Sequence, residues 1–258
     1  MNTSIAHYAR QLDDAAVCAQ AIAQFPSGSF DLEQAYVIQR TAIQRRVNRG
    51  DSICGIKLGF TSRAKMLQMG VHDLIWGWLT CSMLKEESSS IDLNQYIHPR
   101  VEPEVCFLTK RTIDRPMNAL QALDCIEAVA PALEIIDSRY RDFHFTLEDV
   151  VADNCSSAGV VVGSFSRNFD ALSNAGVHMA FDGRYVQTGS TAAILGHPLR
   201  AFVQASRLLA ASGLHLPAGS LIMAGAATAA QALPPETHVR CDIYGLGRVE
   251  FFTATETP

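Results

Sequence analysis

Val101-Glu102-Pro103-Glu104-Val105-Cys106-Phe107-Leu108, followed by Ala128-Val129-Ala130-Pro131-Ala132-Leu133-Glu134-Ile135-Ile136, carries the reading of this chain. Branched and aromatic side chains mark the first stretch as a strand. Residues two apart on a strand project to one side, so Glu102 and Glu104 point together. Two like charges in one small space must give up a proton, be spread apart by solvent, or be neutralised by a cation. Solvation on an open face is the ordinary fate of strand glutamates. Glu134 argues the other way, because a glutamate between Leu133 and Ile135 needs a partner to offset its desolvation. On spacing alone the surface and metal readings stand level. As a metal site, three oxygen ligands describe a hard cation, Mg²⁺ or Mn²⁺, rather than zinc.

Working outward, the 258 residues are 48% hydrophobic and 18% charged, which predicts an ordered globular protein, either one large domain or a core with an appendage. A net charge of -5 and a pI near 5.9 argue against a protein that coats nucleic acid or acidic membranes. The seven cysteines include no Cys-x-x-Cys pair, which predicts a reduced, cytoplasmic setting. The N-terminus lacks the pattern of an export signal, and no apolar run reaches the roughly 18 residues of a membrane span.

Helical spacing predicts two opening helices, over 5–25 and 31–49, separated by Pro26-Ser27-Gly28. From residue 53 short apolar segments predict strands at 53–60, 101–108, 132–136, 160–162, 177–181, 221–224, 239–244 and 249–252. Asp182-Gly183 and Gly245-Leu246-Gly247 read as hairpin turns, and helices are expected at 120–129 and 198–212. Irregular strand separations disfavour a repeated strand-helix parallel design. The expected architecture is α+β, with a helical N-terminal region over 1–52 and a β-rich catalytic core over 53–258.

Several residues are candidates for chemistry. Lys57, in Gly55-Ile56-Lys57-Leu58-Gly59-Phe60, is either an edge-strand lysine reaching solvent or a lysine held near an anionic substrate. Gly59, without a Cβ, would let a ligand approach the backbone. Asp153-Asn154-Cys155-Ser156-Ser157-Ala158-Gly159 and Gly225-Ala226-Ala227-Thr228 are ordinary turn chemistry that could also line a pocket with hydroxyls, Ser157 and Thr228 among them. Asp137 is a second choice as metal ligand. Asp137-Ser138-Arg139 otherwise reads as a turn with an ion pair, and Trp76 and Trp78 as core or subunit-contact aromatics. No His-x-x-x-His pair and no Gly-x-Ser-x-Gly elbow is present.

Taken together, Gly55 to Ser62, Pro99 to Val105, Ala132 to Arg139 and Val151 to Asn154 resemble the hydratase/decarboxylase branch of the fumarylacetoacetate hydrolase superfamily. The resemblance implies that superfamily's mixed β-roll with a helical N-terminal region. It further implies Mg²⁺ or Mn²⁺ on Glu102, Glu104 and Glu134, and Lys57 at the substrate. Where the branch's hydratases carry an acid after a Gly-Val turn, this chain follows Gly70-Val71 with His72-Asp73-Leu74-Ile75-Trp76-Gly77, so Ile75 stands in that place. This likeness points to decarboxylation of a 2-oxo dicarboxylate, 2-oxohex-3-enedioate, in meta-cleavage breakdown of aromatic compounds. Hydration of 2-hydroxypenta-2,4-dienoate is the alternative, and a non-catalytic protein that binds metal and 2-oxo acid is a third. A homo-oligomer and a complex with a hydratase are implied as family behaviour. Relatives often carry an acid in the loop that here reads Thr80-Cys81-Ser82, so none is assigned there.

Overall fold

A computed structural model of the chain describes residues 3–62 and 73–255. The Gly70-Val71-His72 part of the segment weighed above lies outside them. The helical region comprises α1 (Thr3–Val17) and α2 (Leu32–Asn48). Asp31 caps α2 in a box with Gln34, each side chain bonded to the other's backbone amide, as the Phe-Asp-Leu-Glu-Gln sequence implies. α1 is shorter than its helical pattern: Ala19 takes a φ of +48°, and Ile22 then donates to Arg139 O at 2.9 Å. Docking of the extended segment overrides alanine's helix propensity.

An eight-stranded sheet follows. Its strands are β1 (Ile53–Gly59), β2 (Ile75–Thr80), β3 (Leu84–Lys85), β5 (Arg100–Thr109), β6 (Ile126–Ile136), β7 (Ser157–Val162) and β10 (Leu221–Ala226), in spatial order β2-β1-β10-β5-β6-β7-β3, with β11 (Gln231–Ala232) also paired to β5. A second sheet of β4 (Ser90–Asp92), β8 (Gly176–Phe181), β9 (Arg184–Ser190), β12 (His238–Ile243) and β13 (Gly247–Ala254) has the order β4-β13-β12-β8-β9. Both expected hairpin turns are present, joining β8 to β9 and β12 to β13. Among the described residues, three shorter helices follow: α3 (Ala119–Cys125), α4 (Leu147–Ala152) and α5 (Pro198–Ala211).

The helix expected over 120–129 stops at Cys125, and β6 begins at Ile126, because pairing of Ile126 to Thr109 and Val129 to Phe107 extends the strand. β6 therefore exposes no face: both sides are buried along nearly its whole length, and the sequence reads as a continuous apolar run rather than an alternation. The core between the sheets contains Phe107, Leu133, Val161, Val239, Val249 and Phe251. α1, α2 and α4 share a second apolar cluster with Ile75, Tyr140 and Cys155, so the helical region rests directly on the strand and loop that carry the site.

Candidate metal centre and substrate cavity

Register, not proximity in sequence, assembles the carboxylates. β5 and β6 are antiparallel with Glu102 directly opposite Glu134, and Glu104 opposite the small Ala132. Like charges placed directly across a sheet repel. Here all three glutamates are buried, Glu104 and Glu134 to 0% exposure, and a ligand oxygen from each lies within 4.8 Å of the others. Burial, with repulsion from Glu134 and Glu102, holds Glu104 well above the ordinary carboxylate range. Burial raises Glu134 too, with Lys57 pulling it back. Glu104 Oε1 and Glu134 Oε1 are buried with no hydrogen-bond partner among the described residues, a costly state for carboxylates unless something else satisfies them.

Lys57 supplies one positive charge. Its Nζ lies 3.1 Å from Glu134 Oε2 and donates to Cys155 O at 3.0 Å. β1 is an interior strand, so the edge-strand reading of Lys57 is corrected: β2 and β10 flank it, and the residue is 4% exposed. In a flat sheet, three strand spacings of about 4.8 Å would separate β1 from β6 by roughly 14 Å. Contact between Lys57 and Glu134 requires the sheet to curl, and that curl makes the site. Burial by itself would lower the Lys57 pKa; attraction by Glu134 and the other carboxylates overrides it, and the pKa lies above the ordinary lysine value. The orphaned Glu104 and Glu134 oxygens and the all-oxygen donor set fit a hard divalent ion.

Backbone irregularities aim these groups. β10 slips register between Met223 and Ala226, and in that bulge Gly225, at φ +97°, turns its N–H onto Glu104 Oε2 at 2.7 Å. Asn154, Cys155 and Ser156 all occupy the left-handed region, at φ +51°, +53° and +58°. Each such residue costs about 1–2 kcal/mol. What holds the turn is visible: the Asn154 amide accepts from Trp78 N at 2.7 Å and donates to Trp78 O at 2.9 Å, and Asp137 N donates to Ser156 O at 2.8 Å. Gly77 permits the approach, since a Cβ there would sit 2.5 Å from Asn154 O. The result presents the Cys155 carbonyl to Lys57.

A cavity of about 430 Å³ opens beside the charged groups, with Lys57, Glu102, Cys155 and Ser156 at its polar end. Phe60, Ile75, Ile136, Phe143, Phe145 and Val150 make an apolar wall, and Arg100, exposed, lies at its rim with its guanidinium 4.3 Å from the Phe143 ring centroid. Gly59 lines the cavity; a Cβ on it would come within 2.7 Å of Ile75 Cγ1, so the glycine also lets Ile75 pack. Ser157 lies outside this lining, buried, with its hydroxyl 3.9 Å from Met83 Sδ. Thr228 also lies outside it, bonded to Ala229 O, while Ala229 and Ala230 reach the cavity. Ser156, which spacing did not single out, is 3% exposed, and its hydroxyl has no hydrogen-bond partner among the described residues. No local pattern distinguishes it from Ser157; the left-handed turn does.

Asp137 is not a ligand: its two oxygens accept from Ile97 N and His98 N at 2.8 and 2.9 Å. Arg139 pairs with Asp153, not Asp137. Trp76 and Trp78 are core residues, 5.0 Å apart edge to face. In the loop without an acid of its own, Asp51 arrives from before β1 and accepts from Ser82 Oγ at 2.5 Å.

The profile of a family described as Fumarylacetoacetate (FAA) hydrolase C-terminal matches residues 53–252. A protein of Pseudomonas sp named 4-oxalocrotonate decarboxylase is 53% identical over 98% of this chain and 99% of its own. A 2-keto-4-pentenoate hydratase of Paraburkholderia xenovorans (strain LB400) is 37% identical over 85% of this chain and 82% of its own. The solved structure of 4-oxalocrotonate decarboxylase from Pseudomonas putida G7, complexed with magnesium and adipate, superposes with a TM-score of 0.93 at 34% identity, covering 98% of both chains. With its mixed, curled sheet, helical N-terminal region and matched residues 53–252, the chain belongs to the fumarylacetoacetate hydrolase family.

Proposed function

We propose that this protein is a divalent-metal-dependent decarboxylase that converts 2-oxohex-3-enedioate to 2-hydroxypenta-2,4-dienoate and CO₂ in meta-cleavage breakdown of aromatic compounds. The observation that carries the reading is the buried Glu102, Glu104 and Glu134 cluster, an all-oxygen donor set, at the polar end of a cavity with an apolar wall. Relatives named as decarboxylases support it. The three glutamates would hold Mg²⁺ or Mn²⁺. The chemistry such an ion supplies when bound is Lewis-acid stabilisation of charge developing on a 2-oxo group.

The chain's own residues do the rest. An ammonium has three donors; Lys57 directs one to Cys155 O and one toward Glu134, and the third serves the anionic end of the substrate. Ser156 Oγ adds a hydrogen bond at the same end. Gly59 leaves room there, and Arg100 offers a cation at the rim. When the C5–C6 bond breaks, its electron pair passes through the C3=C4 bond to the C2 oxygen, and CO₂ leaves from C6. Phe60, Ile75, Phe143 and Phe145 keep water from the departing carboxylate, whose charge is better solvated before the bond breaks than after.

Residues 1–52 act in this reading as a helical support and 53–258 as the catalytic core. A cytoplasmic location, a homo-oligomer and association with a hydratase that consumes the unstable dienol complete the proposal. Mass analysis of products from 2-oxohex-3-enedioate, with Mg²⁺ or Mn²⁺ and with chelator, tests the activity. Metal-dependent CO₂ release is expected; water addition to 2-hydroxypenta-2,4-dienoate without CO₂ release would replace the decarboxylase with the hydratase.

A further inference from the structure

Two thiols away from the cavity meet where β1 and β2 begin to diverge. Ile53 pairs with Thr80 and Gly55 with Leu79, so the ladder slips at Cys54, the extra residue of a bulge. Cys54 accordingly has no cross-strand partner of its own. Immediately after Thr80, the Cys81 amide donates to Ser52 O at 2.8 Å, pinning Cys81 beside the bulged segment. Cys81 is exposed and Cys54 partly exposed.

Their surroundings differ. Ser52 Oγ donates to Cys81 Sγ at 3.1 Å. Burial, with the neighbouring Cys81 thiol adding to it, pushes the Cys54 thiol up to about 12. Cys81, the more exposed of the two, is the first to meet a dissolved oxidant.

We propose that Cys54 and Cys81 are a redox-modification site: Cys81 reacts with hydrogen peroxide, and Cys54 resolves the product into a reversible disulfide. The Cys81 sulfur attacks one peroxide oxygen, breaking the O–O bond, and the departing hydroxide takes the thiol proton to give water; the sulfur becomes a sulfenic acid. The Cys54 sulfur then attacks the sulfenic sulfur, forming the S–S bond and releasing a second water that takes up the Cys54 proton. Two thiols are oxidised and one peroxide is reduced to two waters. The resulting ring of chain contains Lys57, Gly59, Phe60 and Ile75, so oxidation fastens one wall of the cavity.

The test uses the full-length protein with Mg²⁺, treated with stoichiometric hydrogen peroxide, denatured, thiol-counted and peptide-mapped. The free-thiol count is expected to fall two below the seven of the sequence, with one linked peptide pair joining Cys54 to Cys81. Dithiothreitol should restore all seven. In Cys54→Ser, dimedone should trap the Cys81 sulfenic acid; in Cys81→Ser, peroxide should leave Cys54 unmodified. The map of the unaltered protein decides the matter even if a variant folds poorly. Cys81 linked to Cys18 or to a second chain, Cys81 driven to sulfinic acid with Cys54 still free, or no change in thiol count would each overturn the proposal.

Discussion

Gly225→Ala probes how the metal-site carboxylates are held. A Cβ on Gly225 would lie 2.0 Å from Thr61 Oγ1, 2.5 Å from Thr61 Cγ2 and 2.7 Å from Thr61 Cβ. Rotating the threonine cannot relieve this, because its own Cβ is one of the clashing atoms. The φ of +97° adds about 1–2 kcal/mol of strain for an L side chain. Overpacking adds about 1–3 kcal/mol. If the backbone shifts to escape, the 2.7 Å bond from Gly225 N to Glu104 weakens, at about 1.5–3 kcal/mol for a hydrogen bond to a charged group. These effects overlap, and a total near 4 kcal/mol corresponds to a melting point lower by about 10 °C in a domain of this size. Since Glu104 loses the amide that orients it, metal affinity should fall about tenfold or more. Thermal melts with and without Mg²⁺, alongside calorimetric titration with the metal, read both quantities. Thr61→Gly in the same chain removes every clashing atom and should recover the packing part of the loss but not the φ strain. A single variant whose melting point moved by less than about 2 °C, with metal affinity unchanged, would refute the account of the bulge.

Glu104→Gln should lower metal affinity and CO₂ release by about a hundredfold or more; in chelator its melting point should rise, because one member of a buried like-charge cluster has gone. Lys57→Met should cut turnover while the protein still binds metal and folds, as read by kinetics beside metal analysis and circular dichroism. Ser156→Ala should raise KM more than it lowers kcat, by about five- to tenfold for one hydrogen bond, whereas Ser157→Ala should leave KM alone. Asp13, buried at 1% exposure and bonded to Arg45 and Arg49, has its pKa held below 3.8 despite burial. Its contribution is thus present above about pH 4 and is lost as pH falls through the lowered pKa. Asp13→Asn should cost about 2 kcal/mol at pH 7, and melting points across pH should show that difference shrinking in acid.

Much of the β framework was legible because its segments obey local rules. The turns at Asp182-Gly183 and Gly245-Leu246-Gly247 occur where glycine allows the backbone to reverse, and α2 starts at its Asp31 cap. β6 runs longer than its local pattern predicts, since Leu120 to Val129 is apolar enough for either state and only pairing with β5 chooses strand from Ile126 onward. α1 was read too long, since what ends it is contact with Arg139, far along the chain.

By itself, the sequence determined that Glu102 and Glu104 share a face, because side-chain alternation on a strand is a property of the backbone. It determined too that Glu134 sits among apolar neighbours and that Lys57 lies between glycines. Only the tertiary structure decided that these groups meet. Glu134 stands opposite Glu102 through the β5–β6 register, and Lys57 arrives from β1 because the sheet curls. Three successive left-handed residues choose Ser156 over Ser157 for the cavity. Register, curl and a strained turn arise from contacts between residues distant in the chain, so no local pattern can record them.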